Sequence, residues 1–286
     1  VAMEFPGPVV DAEWVRRALE EPGSNLVLAD ARWYPDRPRR AGYLEGHIPG
    51  AVYVDVDEDL AAPVPPDRRG GRHPLPTPQA FAGAMSRLGI GDDTPVVAYD
   101  DAGGSTAARL WWMLWALGHP VAMLDGGLHA WPGPREAGEG RIPPRAVFTS
   151  RPWPREAMVD AEQIERLRTE PGTALVDVRT AERFRGEREP IDPVAGHIPG
   201  ARNVPWVDHL DSWTGCFRSA EELRLRYAEA GVGDATAVIA QCGSGVTACI
   251  ALVALEVAGL PAGRLYVGSW SDWISDPSRA VAVGEI

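Results

Sequence analysis

Apolar residues in this chain fall into short unbroken runs, each followed by a glycine-rich or polar turn and then by a stretch with helical spacing. The second half shows the pattern best. Residues 174–178, 236–241 and 264–267 read as strands, 219–230 as an amphipathic helix, and the Ala/Leu-rich stretch 246–258 as another helix. Unbroken apolar strands alternating with helices predict an α/β fold with a mainly parallel sheet covered on both faces. Ligands in such folds bind at the carboxyl ends of the strands. At that point, after Val238-Ile-Ala-Gln241, come Cys242, a Gly-Ser-Gly turn and the start of the predicted helix. Loop amides and the positive end of a helix stabilise negative charge. The setting favours a thiolate and makes Cys242 a candidate nucleophile.

The chain also repeats itself. Gly46-His47-Ile48-Pro49-Gly50-Ala51 recurs as Gly196-His197-Ile198-Pro199-Gly200-Ala201. Val27–Arg32 resembles Leu175–Arg179, Thr94–Asp100 lines up with Thr236–Cys242, and Leu124–Trp131 lines up with Tyr266–Trp273. The order is the same in both halves and the period is too long for a solenoid. Two tandem copies of one domain are predicted: 1–145, a Pro-, Gly- and charge-rich linker at 146–156, and 157–286.

Composition narrows the function. The 286 residues carry 28 Lys and Arg against 40 Asp and Glu, a net charge of −12, which argues against a general nucleic-acid binder. No apolar run is long enough to span a membrane, and no signal peptide is visible. Three cysteines fit a reducing compartment, here expected to be the cytoplasm, better than a disulfide framework. No His/Cys cluster has zinc spacing, and no metal is expected.

Tyr43-x-x-x-His47-Ile-Pro-Gly-Ala and Tyr266-x-Gly-Ser-Trp-x-Asp-Trp273 resemble the two signatures of the tandem rhodanese family of sulfurtransferases. The resemblance covers nearly the whole chain and implies two rhodanese-like domains, the second catalytic. Cys242-Gly-Ser-Gly-Val-Thr-Ala looks like the active-site loop of the 3-mercaptopyruvate branch, whereas thiosulfate enzymes more often carry basic residues after the cysteine. The implied chemistry is ping-pong transfer of sulfane sulfur through a Cys242 persulfide. The donor is 3-mercaptopyruvate or, alternatively, thiosulfate. The acceptor is cyanide, a small thiol or reduced thioredoxin, and no cofactor is needed.

The resemblance also assigns residues. The amides of Gly243, Ser244, Gly245, Val246 and Thr247 are expected to ring the outer sulfur, with Gly243 and Gly245 free to take positive φ. Ser244, His73 and Asp57 form an expected relay that polarises the donor carbonyl and returns a proton. Arg183 and Arg188 are expected on the substrate carboxylate, because Ile191 stands where the family often has its second arginine. Arg185 is expected at the surface. Trp33 is expected to line the substrate cleft. In the first copy Asp100 occupies the nucleophile's position, and an aspartate cannot carry sulfane sulfur, so that copy is expected to be catalytically inactive.

Other conspicuous residues read as structural. His47 and His197 occupy matching places in the two copies, as do the pairs Asp30/Arg32 and Asp177/Arg179, and presence in the copy expected to be inactive argues against catalysis. Cys249 is expected two turns inside the helix, as a packed core residue, and Cys216 is also read as structural. Trp111, Trp112 and Trp115 are expected in packing, the last two on one helix face. Two rival classes compete with transfer. A cysteine phosphatase needs Cys-x5-Arg, and Ala248 stands in the arginine's place. A non-catalytic sulfur-sensing module is the other rival.

Overall fold

The computed structural model describes residues 3–140 and 142–285. Its chain divides into two compact units. The first comprises Val1–Ala62, Pro76–Trp153 and Asp211–Phe217; the second comprises Pro63–Leu75, Pro154–Leu210 and Arg218–Ile286. Each unit therefore takes in a short segment from the sequence of the other repeat.

The first unit holds strands β1 (Val9–Val10), β2 (Val27–Asp30), β3 (Val52–Tyr53), β4 (Val96–Tyr99) and β5 (Val121–Leu124). They form a parallel sheet in the order β1-β5-β4-β2-β3. Helices α1 (Ala12–Glu20), α2 (Ala41–Glu45), α3 (Pro78–Arg87) and α4 (Ala107–Ala116) flank it. Every residue of β4 and β5 is buried, which explains why these strands read as unbroken apolar runs. Asp11 and Thr77 cap α1 and α3 through their side chains. Trp111 and Trp112 are buried; Trp111 stacks on Trp115, one turn along α4, with ring centroids 5.5 Å apart.

The second unit repeats the plan. Strands β6 (Met158–Val159), β7 (Thr173–Asp177), β8 (Arg202–Asn203), β9 (Ala237–Gln241) and β10 (Arg264–Tyr266) run parallel in the order β6-β10-β9-β7-β8. Its helices are α5 (Ala161–Leu167), α6 (Ala181–Arg185), α7 (Ala220–Glu229), α8 (Cys249–Ala258) and α9 (Ser269–Trp273). Ser219 and Glu222 close a capping box at the start of α7, and Gly259 ends α8 in a left-handed turn. Phe184, Ile198, Ile239, Tyr266, Trp270 and Trp273 anchor the core. The central strand β9 ends on Gln241, so Cys242 leaves the sheet beside the point where the strand order reverses.

Helix α8 starts at Cys249, later than the expected 246. Val246 and Thr247 continue the apolar pattern, but the chain there turns more tightly. The amides of Cys249, Ile250 and Ala251 bond three residues back, to Val246, Thr247 and Ala248. Cys249 thus opens the helix rather than lying two turns inside it, though it is fully buried as expected. Among the described residues no helix is long and apolar enough to cross a membrane.

Candidate active site

The loop 242–248 folds back on Cys242. Gly245 N–H donates to Cys242 Sγ at 3.2 Å. The backbone of the cysteine is pinned by α9: Trp270 N–H reaches Cys242 O at 3.0 Å, and Ser271 N–H reaches Gly243 O at 2.9 Å. Cys242 N–H donates to Ser269 Oγ at 3.0 Å, and that hydroxyl donates to Tyr266 O at 2.9 Å. Ser269 does this from φ 52°, a conformation side-chain-bearing residues seldom adopt, so the turn is held by its surroundings. Sequence reasoning gave Ser269 no role; its only sequence signal was membership of the Tyr266–Trp273 motif.

The two loop glycines serve different ends. Gly245 takes φ +78°, and a Cβ there would lie 2.0 Å from Val267 O. Gly243 does not adopt the positive φ expected of it. Its lack of a side chain makes room for two guanidiniums: a Cβ would meet Arg72 Nη2 at 2.8 Å and Arg183 Nη2 and Nη1 at 3.5 and 3.7 Å. Val246 is buried and Thr247 half-buried in the turn leading to α8. Cys249 Sγ donates to Gly245 O at 3.4 Å, bracing the loop from inside.

The equivalent loop of the first unit shows what such amides gather around. Asp100 is fully buried. One carboxylate oxygen accepts from the amides of Ala102 and Gly104 at 2.9 and 2.7 Å, the other from those of Thr106 and Ala107, both at 2.9 Å. A negative group there collects four N–H donors.

His73 lies in the segment Pro63–Leu75 that belongs to the second unit. Its Nδ1 is 2.8 Å from Ser244 Oγ. The segment is fastened by Gly70 N–H to Asp272 Oδ1 at 2.8 Å and by Arg72 N–H to Ser271 Oγ at 3.1 Å. Asp57 belongs to the first unit, where its carboxylate accepts from Trp33 Nε1 at 2.9 Å and pairs with Arg39 at 3.3 Å.

Arg183, on α6, is gripped by Glu189 through Nε and Nη2 and reaches Asp192 Oδ2 at 3.2 Å. Burial alone would raise the Glu189 carboxyl, but the Arg183 N–H groups and the amides of Asp192 and Ile191 outweigh it and hold it below its ordinary value. Burial raises the Asp192 carboxyl. Arg188 is exposed and forms no ion pair among the described residues. The cation that joins Arg183 beside Gly243 is instead Arg72, whose Nη1 binds Asp192 Oδ1. Arg185 pairs at 2.8 Å with Glu187, just beyond the end of α6, and Ile191 is largely exposed.

The recurring polar residues hold the backbone. Arg179 forks onto Asp177 and donates to Gly196 O at 2.7 Å; Arg32 forks onto Asp30 and donates to Gly46 O at 2.8 Å. Each pair ties a strand end to the Gly-His-Ile-Pro-Gly turn. His47 stacks on Tyr43 and His197 on Phe184, each buried and each with Nδ1 2.8 Å from a carbonyl of that neighbouring helix. Burial lowers the proton affinity of His197. Cys216 sits on the first unit, near Gly126, and burial raises its thiol.

Comparison with known proteins agrees with this architecture. The family description "Rhodanese-like domain" matches residues 11–133 and 160–276. The chain is 44% identical to a Pseudomonas aeruginosa protein named "Probable 3-mercaptopyruvate sulfurtransferase", over 97% of this chain and 98% of that one. It is 40% identical to a Mycobacterium tuberculosis protein named "Putative thiosulfate sulfurtransferase SseB", over 99% of both. The crystal structure of the 3-mercaptopyruvate sulfurtransferase SseA from Escherichia coli superposes with a TM-score of 0.80 at 34% identity, covering 93% of this chain and 99% of that one. With two matched copies, a duplicated parallel sheet and a cysteine loop at the end of β9, the chain belongs to the rhodanese family.

Proposed function

We propose that this protein is a sulfurtransferase that moves sulfane sulfur from 3-mercaptopyruvate to a thiol or to cyanide through a persulfide on Cys242. One observation carries the reading: Cys242 Sγ lies in an amide loop whose counterpart wraps four N–H groups around the Asp100 carboxylate. The loop is built to hold an anion at the end of a side chain. In the first unit the group held there is the Asp100 side chain, which carries no sulfur. In the second it is the thiolate and then the persulfide.

The Cys242 thiolate attacks the donor sulfur. The S–S bond forms, the S–CH2 bond breaks, and its electron pair departs on carbon as the enolate of pyruvate. Ser244, hydrogen-bonded to His73, polarises the donor carbonyl and supplies the proton that turns the enolate into pyruvate. An acceptor thiolate then takes the outer sulfur and restores Cys242. Reduced thioredoxin and small thiols fit this step. The support for mercaptopyruvate over thiosulfate is the uncharged loop after Cys242, together with the names borne by the P. aeruginosa and E. coli relatives. The M. tuberculosis relative favours thiosulfate as the second reading.

Two measurements test the proposal. Intact mass after donor treatment gains one sulfur atom in the wild type and none in Cys242→Ala. With cyanide as acceptor, kcat/KM for 3-mercaptopyruvate exceeds that for thiosulfate; a thiosulfate value roughly tenfold higher reverses the donor assignment.

A further inference from the structure

The ion pairs beside the Cys242 loop form an alternating chain. Asp177 pairs with Arg179, Arg179 with Glu189, Glu189 with Arg183, Arg183 with Asp192, and Asp192 with Arg72. The two carboxylates at the loop end are sealed, with 2% of the Glu189 side chain and 3% of Asp192 exposed. The guanidiniums in front of them are not, at 16% for Arg183 and 28% for Arg72. Arg183 Nη1 and Arg72 Nη2 have no hydrogen-bond partner among the described residues, and both converge on the space above Gly243, next to the nucleophile. Both N–H groups reach solvent, so a ligand can take them without breaking a bond of the network. Here two charged N–H groups from different chain segments are left pointing at one spot.

We propose that Arg72 supplies the second guanidinium of the donor subsite, gripping with Arg183 the carboxylate of a singly charged donor. The proposal rests on the sulfurtransferase reading and deepens it. Arg72 takes the part that neither Ile191 nor the exposed Arg188 fills. Two guanidinium edges suit a planar carboxylate, which accepts one donor on each oxygen. Arg72, Arg183 and Arg179 are matched by Asp177, Glu189 and Asp192, so the network is neutral before the donor arrives. The pull on a donor carboxylate therefore comes from the two unused charged N–H groups and their forked geometry, not from an excess of cations.

The experiment compares 3-mercaptopyruvate with 1-mercaptopropan-2-one, the same thiol ketone with a methyl group in place of the carboxylate, in wild type and Arg72→Met. Persulfide formation is followed by intact mass and by release of the ketone product. In Arg72→Met the ratio of kcat/KM for the two donors falls by roughly ten- to a hundredfold, mostly through KM for 3-mercaptopyruvate. An unchanged ratio overturns the proposal. A parallel fall with both donors also overturns it, because Arg72 would then merely hold its segment in place. Arg72→Lys keeps the charge opposite Asp192 but loses the forked donors; its ratio falls less, and it carries the test should Arg72→Met not fold. Failure of the wild type to gain sulfur from either donor is a different result, and it removes the sulfurtransferase reading itself.

Discussion

The carboxylate of Asp100 offers the most direct check on the argument from the paired loops. Asp100→Asn preserves size and shape but leaves one acceptor oxygen where there were two. Whichever way the amide is turned, that oxygen serves one pair of N–H donors, either Ala102 and Gly104 or Thr106 and Ala107. The other pair then faces an NH2 group. Two hydrogen bonds to a charged acceptor are lost, at about 1.5–3 kcal/mol each, so the variant is destabilised by about 3–6 kcal/mol. That is a large part of the roughly 5–15 kcal/mol that holds an ordinary domain together. Urea unfolding followed by tryptophan fluorescence reads it, as an early transition in the variant set against the wild type. A loss below about 1 kcal/mol would refute the reasoning: the loop would then tolerate a neutral group, and its relation to a bound persulfide would lose its physical basis.

Three other outcomes are expected. Loading Cys242 with sulfur carries the anionic end of the side chain from Sγ out to the second sulfur, among the loop amides, so the persulfide form melts above the unloaded protein, by about 2–4 °C for each kcal/mol gained; an equal or lower Tm contradicts the anion-loop assignment. Gly245→Ala sets a Cβ 2.0 Å from Val267 O at φ +78°, and is expected to lose about 2 kcal/mol or more of stability together with sulfur uptake, measured by unfolding and intact mass. His209 is fully buried, with Nδ1 3.1 Å from Trp206 O and Nε2 2.9 Å from Tyr227 Oη, and burial lowers it from 6.5 to about 4. The unfolded chain therefore takes up a proton that the folded one refuses. Stability from this ring is full above pH 6.5 and declines as pH falls toward 4, by about 3 kcal/mol in all; in His209→Gln that part of the slope between pH 7 and pH 4 disappears.

What could be read from the chain depended on how far each signal reached along it. Helix α7 was legible almost to the residue because Ser219 and Glu222 mark its start locally. The duplicated sheets were legible because the same short motifs recur in the same order, and β9 because its apolar run is unbroken. The start of α8 was misplaced because Val246 and Thr247 satisfy the helical pattern while the backbone coils more tightly to bring Gly245 N–H onto the sulfur. Gly243 looked like a conformational glycine, but its need is steric and comes from Arg72, which no local pattern connects to it. Arg72 itself was missed for the same reason: it precedes His73 in a proline- and arginine-rich stretch of the first repeat that reads as surface loop. Ser269 carries its strain in φ, which side-chain chemistry does not announce.

The reciprocal exchange of Pro63–Leu75 and Asp211–Phe217 has a consequence for the ancestry and handling of the molecule. A fragment beginning at Pro154, cut by a protease or by splitting the gene, keeps the thiol but leaves behind the imidazole beside Ser244 and the guanidinium over Gly243. Once duplicated, the halves ceased to be interchangeable parts: the later copy is built around a stretch encoded in the earlier one, and loss of the first half takes His73 and Arg72 with it.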